Sequence, residues 1–301
     1  MKDLIVIGGG CAGLTAALYA ARAGKSVLLF EAENIGGQIT SAPFVDNYPG
    51  LPHVSGMQFA DNLFAQVTEL GVEVELEKVT GIEHKGETNT VVTEEGRYDC
   101  SNVIIATGAK HKRLGLPDEE RLIGHGVSYC AVCDGAFYKG RTAAVVGGGN
   151  TAFCDALFLS NLCSKVVVIH RRVAFRADAA MAERLRCVPN IEFITETVVD
   201  AIIGDNEVTG LRLKSLKDGH VYELTTDVLF VAIGHVPDSM PFSSLVEIDS
   251  EGYIVAGEDC QTGVAGVFAA GDCRRKSVRQ LTTAVADGAN AAVGAWSCPV
   301  V

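Results

Sequence analysis

The 301-residue chain is poor in charge and has no long hydrophobic run near its start. Charged residues make up 21% of the sequence against 48% hydrophobic residues, which is typical of a globular chain with a large core. Basic residues are the minority, and the formal charge of −12 argues against nonspecific binding to nucleic acid or to an anionic membrane. The apolar run from Leu4 to Ile7 ends at a glycine. We interpret it as a buried strand, not as a targeting or membrane segment.

The sequence also lacks the ligand pattern of a zinc site. Its ten cysteines are scattered, some of them in apolar stretches such as those around Cys11 and Cys154. Without a signal peptide, this pattern predicts reduced thiols and a cytoplasmic protein. Only Cys130 and Cys133 have C-x-x-C spacing, and no second such pair or H-x₃₋₅-H pair accompanies them. We therefore predict no metal and a reversible dithiol/disulfide at this pair, with a zinc site or two inert thiols as the alternatives.

A first dinucleotide-binding fingerprint lies at the start of the chain, whose length predicts about two domains. A buried strand from Asp3 to Ile7 is followed by GGGCAG at residues 8–13 and by an alanine-rich helix. Gly8, Gly10 and Gly13 occupy the G-x-G-x-x-G positions. These glycines permit a tight turn, close approach to a pyrophosphate and close helix–strand packing, and the helix N-terminus offers N–H groups to the phosphates.

A second fingerprint repeats this pattern seventeen residues after Cys130. The strand of residues 142–146 precedes GGGNTA at 147–152, with Gly147 and Gly149 at the first two glycine positions and another helix behind them. Two copies, each between a strand and a helix, predict two dinucleotide sites and not merely glycine-rich turns.

The two copies differ at the position that selects the nucleotide. Glu31 stands twenty-one residues after Gly10, where a carboxylate accepts hydrogen bonds from ribose hydroxyls and repels a 2′-phosphate. His170 stands at the same distance from Gly149 and is followed by a basic cluster. Guanidinium groups form forked bonds to phosphate, so the first copy suits FAD and the second NADPH. A solvated basic edge is the alternative for this cluster, which consists of Arg171, Arg172 and Arg176.

The rest of the chain predicts a split first domain. A helix is expected over about 55–70, and strand-to-turn signals end at Gly108, Gly234 and Asp272. The last of these returns the chain to the first domain, and the proline-containing stretches 112–117 and 235–241 are natural crossing points. The expected fold is α/β, with two Rossmann-like three-layer domains, the NADPH domain being inserted into the FAD domain. The predicted domains are 1–114 and 239–301 for FAD, and 115–238 for NADPH with the C-x-x-C pair.

Together these motifs resemble the low-molecular-weight thioredoxin reductases over nearly the whole chain. The matching motifs are the first fingerprint with Glu31, GGQ at 36–38, NYPG at 47–50, ATG at 106–108, CAVCDG at 130–135, GGGNTA at 147–152, HRR at 170–172 with Arg176, GD at 271–272 and RQ at 279–280. A glutathione-reductase-like protein carries its redox pair, with C-x₄-C spacing, in the first domain shortly after the fingerprint. This chain has only Cys11 in that region, so that class of protein is excluded. The fingerprint begins at residue 8, so we do not expect the thioredoxin-like region that precedes it in alkyl-hydroperoxide reductase flavoproteins.

The resemblance implies FAD, NADPH, a homodimer and thioredoxin as the protein substrate. The FAD contacts that it implies come from Gly8, Gly10, Gly13, Glu31, Gly37, Gln38, Asn47, Ala106, Gly108, Gly271, Asp272, Arg279 and Gln280. Those implied for NADPH come from Gly147, Gly149, Asn150, Thr151, His170, Arg171, Arg172 and Arg176. Asp272 is expected to bind the ribityl chain. Gln280 is expected to give a backbone N–H to the flavin ring at the start of the final helix.

The resemblance also assigns roles within the redox motif. Cys133 would face the flavin, and Cys130 would be the exposed thiol that attacks the disulfide of thioredoxin. Exchange proceeds through the thiolate, whose formation a helix beginning at Cys130 would favour. Asp134 would be the acid/base that moves the proton, with a helix-capping aspartate as the alternative. Because the C-x-x-C pair and the nicotinamide site lie in one domain and must both reach one flavin, we expect two domain orientations.

Three other functions use the same architecture. A thiol oxidase would pass electrons from dithiols to oxygen, but it has no use for the basic cluster that suits NADPH. A reductase for another small disulfide protein, such as a glutaredoxin-like carrier, and a nonenzymatic FAD-binding redox sensor are the other two.

Two departures from the family pattern stand near the cofactors. The sequence Phe153-Cys154-Asp155 is expected to retune nicotinamide binding, and Cys273 is expected to be a packed small residue.

Overall fold

The computed structural model describes residues 1–296, which form two compact units. The split unit combines residues 1–110 with the chain from Val236 onward, and the inserted unit is His111–His235. The two crossings between the units run through strands that pair with each other, Ala109–His111 and His235–Pro237.

The strands are numbered in chain order. They are β1 (Lys2–Ile7), β2 (Val27–Phe30), β3 (Glu73–Glu75), β4 (Val79–Lys85), β5 (Thr88–Thr93), β6 (Arg97–Ile105), β7 (Ala109–His111), β8 (Val127–Ser128), β9 (Thr142–Gly147), β10 (Lys165–Ile169), β11 (Ile191–Ile194), β12 (Thr197–Ile203), β13 (Gly210–Ser215), β14 (Val221–Thr225), β15 (Val228–Ala232), β16 (His235–Pro237) and β17 (Val267–Ala269). The α-helices are α1 (Cys11–Arg22), α2 (Gly56–Glu69), α3 (Ala131–Asp134), α4 (Asn150–Ser160), α5 (Ala179–Arg186) and α6 (Leu281–Gly294).

Each unit is built on a parallel sheet. In the split unit the order is β3-β2-β1-β6, with β17 on the far side of β6, and β4 and β5 continue from β6 as antiparallel strands. In the inserted unit five parallel strands are ordered β11-β10-β9-β15-β8, beside an antiparallel meander of β12, β13 and β14.

The strand that precedes each fingerprint, β1 or β9, is buried on both faces, as expected for a strand inside a parallel sheet. Leu4 and Val6 pack towards α1, α2 and α6, whereas Ile5 and Ile7 pack towards β4, β5 and β6. The inserted unit repeats this arrangement, because Val145 of β9 packs with α4 and α5 while its neighbours pack against the meander. The expected fold of two Rossmann-like domains, one inserted into the other, is therefore confirmed.

Candidate redox and nucleotide sites

The first fingerprint forms a turn that has no room for a side chain at its first and last glycines. Gly8 has φ +112°, and a Cβ added there would lie 2.4 Å from the Ala106 carbonyl oxygen. A Cβ on Gly13 would lie 1.8 Å from the Gly8 oxygen. Gly10 is the N-cap of α1. The backbone is therefore open for close approach of a pyrophosphate at the start of the helix.

Glu31 is fixed beside this turn. Its carboxylate accepts hydrogen bonds from the backbone N–H of Gly9 at 2.6 Å and from that of Glu33 at 2.7 Å. The two bonds leave lone pairs for ribose hydroxyls while orienting the group, since a carboxylate has about four acceptor positions.

Hydrogen bonds tie the other motifs of the split unit to neighbouring segments. The Gly36 N–H donates to the Gly9 oxygen at 2.8 Å, and the Gln38 side-chain amide donates to the Ala109 oxygen. Asn47 donates from Nδ2 to Gln280 Oε1 at 3.2 Å. The structure thus brings together residues that are separated by more than two hundred positions in the sequence.

Asp272 lies in the turn after β17 and has a buried oxygen suited to a ligand. Its Oδ1 has no hydrogen-bond partner within residues 1–296. Burial raises the pKa of the Asp272 carboxyl, while Lys276 and Arg279 act in the opposite direction. Because buried polar atoms are almost always paired, this oxygen fits the hydroxyls of the FAD ribityl chain.

Arg279 and Gln280 lie at the start of α6. The Arg279 guanidinium stacks over the Tyr253 ring at 3.9 Å. The backbone N–H of Gln280, which we expected to face the flavin, donates to Thr283 Oγ1 at 3.1 Å. The reason is a capping box, in which the side chain of each residue accepts from the backbone of the other.

The second fingerprint has the same tight geometry as the first. A Cβ on Gly147 would lie 2.4 Å from the Ala232 oxygen, and Gly149 is the N-cap of α4. Asn150 exchanges two hydrogen bonds with Asp178, one to its carboxylate at 3.1 Å and one from its backbone N–H at 2.9 Å. Asp178 thereby ties the segment before α5 to the fingerprint.

The basic cluster is carried by a loop that this contact helps to hold. The Arg176 N–H donates to the Gly148 oxygen at 2.7 Å. Arg171, Arg172 and Arg176 are exposed and form no ion pair within the described residues. Their charges are therefore open to a phosphate group.

His170 differs from the arginines beside it. The side chain is buried, with Nε2 3.3 Å from the Ala174 oxygen, and a Cβ on Gly148 would lie 2.3 Å from the ring. Burial lowers the pKa of this imidazole. His170 therefore packs beneath the glycine turn, whereas the three arginines are exposed.

The redox pair is a disulfide between Cys130 and Cys133, with a Cα–Cα distance of 5.3 Å. Cys130 precedes α3, and the Cys133 N–H donates to Cys130 Sγ at 3.2 Å. Cys133 is exposed and Cys130 is half-buried, which is the reverse of the expected exposure. The Cys130 N–H donates to Ser128 Oγ at the end of β8, whereas Cys133 is the third residue of the four-residue helix α3.

Asp134 does not cap a helix. It is the last residue of α3, and its side chain makes no capping bond to the 3₁₀ turn that follows. The Ser128 hydroxyl donates to Asp134 Oδ2 at 2.6 Å. Burial raises the pKa of the Asp134 carboxyl, and the Ser128 hydrogen bond partly offsets this rise. A carboxyl with a raised pKa beside a disulfide suits an acid/base.

The two departures from the family pattern have different surroundings. Cys273 is buried, with Sγ 3.3 Å from the oxygens of Ile105 and Ala270, and burial raises the pKa of its thiol to about 11. These contacts suit a packed small residue. In α4, Phe153 is buried, Cys154 is exposed, and burial raises the pKa of Asp155 to about 7.

Two residues of these sites were missed by sequence reasoning. Ser128 carries no motif. Asp178 has a weak sequence signal, since an aspartate just before a helix is a common N-cap.

Within residues 1–296, no cluster of three or more His, Cys, Asp or Glu side chains is suited to a metal ion. Over the same range, every helix is too short or too polar to cross a bilayer.

Known proteins share this architecture and sequence. A family model described as pyridine nucleotide-disulphide oxidoreductase matches residues 2–288. The thioredoxin reductase of Treponema pallidum is 42% identical over 296 residues, which cover 98% of this chain and 96% of that protein. The crystal structure of thioredoxin reductase from Streptococcus pyogenes is 40% identical, with a TM-score of 0.95 over 98% of this chain and 97% of that one. That of Lactococcus lactis, described as the FR conformation, is 38% identical and has a TM-score of 0.66 over 98% of both chains.

Two dinucleotide folds and a disulfide next to a half-buried acid define a flavin-dependent oxidoreductase of disulfides. The chain belongs to the pyridine nucleotide-disulphide oxidoreductase family. Its resemblance to thioredoxin reductases is confirmed, and with it the prediction of FAD and NADPH as cofactors.

Proposed function

We propose that this chain is an NADPH-dependent thioredoxin-disulfide reductase. The observation that carries the proposal is the Cys130–Cys133 disulfide next to a half-buried Asp134, in the unit that also bears the arginine-rich nucleotide loop. Relatives named thioredoxin reductase that align with nearly the whole chain support thioredoxin as the substrate.

The reaction moves two electrons and two protons from NADPH and solvent to a protein disulfide. NADPH, one proton and the disulfide give NADP⁺ and a dithiol, and FAD supplies the hydride-accepting relay between the nucleotide and Cys130–Cys133. The reduced pair then acts through the thiolate of Cys130, which attacks one sulfur of thioredoxin and forms a mixed disulfide. Cys133 attacks Cys130, restores the Cys130–Cys133 bond and releases reduced thioredoxin.

The proposed ligands follow the two units. In the split unit we assign FAD to the first fingerprint, to Glu31 and to the surrounding motifs that end in Asp272 and Gln280. The cradle where a Cβ would clash and the buried Asp272 oxygen support this assignment. In the inserted unit we assign NADPH to the second fingerprint and the basic cluster, with His170 supporting the turn from below.

Two orientations of the domains are part of the proposed mechanism. Two solved relatives of nearly equal identity, 40% and 38%, match this chain with TM-scores of 0.95 and 0.66. Sequence divergence does not account for that difference, and the second structure is described as a particular conformation. The two scores are those expected if the domains of this family take more than one relative orientation.

We also propose a homodimer, a cytoplasmic location, and no nucleic acid or membrane as a partner. The dimer is supported by an open, mostly apolar hollow of about 270 Å³ on the split unit, lined by Tyr19, Tyr48, Pro49, Val285, Ala286 and Ala289. The location is supported by buried free thiols such as Cys11 and Cys100, as in a protein of a reducing compartment.

An anaerobic titration of the flavin-loaded protein tests the proposed function. We expect NADPH to bleach the flavin at much lower concentration than NADH, and thioredoxin then to reoxidise it, with DTNB reporting the thiols formed. Bleaching without transfer to thioredoxin would move the function to another disulfide protein. If neither nucleotide bleached the flavin, the electron donor would be a different molecule.

The basic cluster gives the sharpest test of nucleotide choice. Because each guanidinium-to-phosphate bond is a charge-assisted contact, Arg171→Ala combined with Arg172→Ala should raise the KM for NADPH by about 10- to 100-fold. The KM for NADH should stay within about twofold, since NADH has no 2′-phosphate. Arg184→Ala removes an exposed arginine of the same unit and should change neither KM. An equal rise of both KM values in the double variant would contradict the assignment.

A further inference from the structure

Ser128 is a buried residue at the end of a short strand, two positions before the redox pair. Its side chain is 4% exposed. The strand β8 pairs in parallel with β15, where Ser128 lies opposite Phe230. The hydroxyl is therefore carried by the sheet of the inserted unit, while the redox helix α3 begins just beyond it.

The hydroxyl joins the two ends of the redox helix. It accepts a hydrogen bond from the Cys130 N–H at 3.0 Å and donates to Asp134 Oδ2 at 2.6 Å. The other acceptor within reach, the Cys130 oxygen, is 3.4 Å away. The shorter contact to a carboxylate is the stronger one, so the proton of Ser128 points to Asp134. One side chain thus fixes both the backbone of Cys130 and the carboxyl group of Asp134.

Few charged groups compete for Asp134. The Tyr138 phenol, in the 3₁₀ turn that follows α3, is the titratable group coupled to it, and the pKa of Tyr138 is raised by burial and by Asp134. Ser128 from β8 is the one side chain whose hydrogen bond acts on the Asp134 titration, and it lowers the pKa that burial raises.

We propose that Ser128 is the positioning residue of the proton transfer, which orients Asp134 toward the redox sulfurs and stabilises its carboxylate. The inference rests on the proposed function. Reduction of the Cys130–Cys133 bond by two electrons breaks it and leaves two thiolates, and the protonated Asp134 gives its proton to one of them. Asp134 becomes a carboxylate, which the Ser128 hydroxyl stabilises while keeping its own proton.

The consequence is a defined change in pH dependence. Reduction of the disulfide needs protonated Asp134, so its rate falls as the pH rises through the pKa of that carboxyl. In Ser128→Ala the carboxylate loses a hydrogen bond, its pKa rises, and the fall should move upward by about one pH unit. The rate on the low-pH side should drop roughly tenfold, because the acid is no longer held in place.

Two measurements test this change in pH dependence. Rapid-reaction kinetics with NADPH give the midpoint pH at which the rate of disulfide reduction falls. An infrared titration gives the midpoint pH of the Asp134 carboxyl, whose band is identified by its loss in Asp134→Asn. Ser128→Thr restores a hydroxyl and should return both midpoints toward the wild-type value. Thr226→Val is the matched control. It removes another buried hydroxyl of the inserted unit, one that donates only to backbone oxygens, and should shift neither midpoint.

Unchanged midpoints in Ser128→Ala would overturn the inference, as would an equal shift in Thr226→Val. The infrared titration needs neither thioredoxin nor turnover. A wild-type protein that fails to reduce thioredoxin would therefore remove the proposed function while the Ser128 inference is still decided by the carboxyl midpoint.

Discussion

Cys130→Ser and Cys133→Ser are each expected to reduce thioredoxin turnover by about three orders of magnitude or more. Either substitution removes the disulfide that the structure shows between the two residues. A serine hydroxyl cannot form the mixed disulfide or replace a sulfur in it. Bleaching of the flavin by NADPH should survive in both variants, because it precedes the disulfide step. Steady-state assays with thioredoxin and anaerobic flavin spectra measure the two quantities.

The two variants should differ in what they trap. Cys133→Ser keeps the thiol that we propose as the nucleophile but lacks the one that resolves the mixed disulfide. It should therefore accumulate a covalent adduct with thioredoxin, visible on a nonreducing gel, and Cys130→Ser should not. This contrast tests the roles proposed for the two cysteines, because Cys133 and not Cys130 is the exposed member of the pair. An adduct with Cys130→Ser alone would reverse the two roles.

A control substitution separates the pair from the other thiols. Cys187 is a free and exposed cysteine of the same unit, so Cys187→Ser should keep turnover within about twofold, as for a surface change away from the site. If Cys187→Ser were as inactive as Cys130→Ser, loss of a thiol as such would be the cause.

The sequence was most informative where function depends on local backbone geometry. The roles of Gly8 and Gly13 follow from their spacing between a strand and a helix, and the structure shows the clashes that any other residue would cause. The helix predicted over 55–70 is found as Gly56–Glu69, with Ser55 as its N-cap. Such features are set by neighbours within a few positions, so a single sequence is enough to reveal them.

Contacts between distant segments could not be predicted in the same way. The Asn47 side chain donates to Gln280 Oε1, and the Gln280 backbone N–H donates to Thr283 Oγ1 in a capping box. Exposure of the two redox residues also depends on packing, and the structure leaves Cys130 half-buried and Cys133 exposed. Ser128 and Asp287 belong to no motif, and only the folded chain brings each to the groups that it binds.

Asp287 is expected to be the most sensitive buried charge of the split unit. It lies in α6 and is 3% exposed. Its carboxylate accepts from Arg274 Nε at 2.8 Å and Nη2 at 2.7 Å, from Lys276 Nζ at 2.8 Å and from the Gly271 N–H at 2.9 Å. Both cations are themselves buried. The network thus ties the turn that carries Asp272 to the final helix.

Asp287→Ala should lower the free energy of unfolding by about 3–5 kcal/mol, because it leaves two buried cations without their anion. Burial alone would raise the pKa of Asp287, but the bonds from Arg274 and Lys276 outweigh it and hold that pKa below its ordinary value. A carboxyl with a lowered folded-state pKa stabilises the protein above its unfolded pKa. The loss in the variant should therefore be complete above about pH 4 and shrink as the pH falls further. Urea unfolding followed by circular dichroism at several pH values measures it.

The same substitution should also weaken FAD binding, because the Gly271 N–H loses the acceptor that positions the turn before Asp272. A flavin fluorescence titration measures this second effect. Glu258→Gln is the matched control, since Glu258 pairs with the same Arg274 at 3.4 Å but is 90% exposed. An exposed pair contributes little, so this variant should stay within about 0.5 kcal/mol of the wild type and keep its FAD. If Asp287→Ala kept the stability and the FAD affinity of the wild type, the buried network would not be what holds the Asp272 turn.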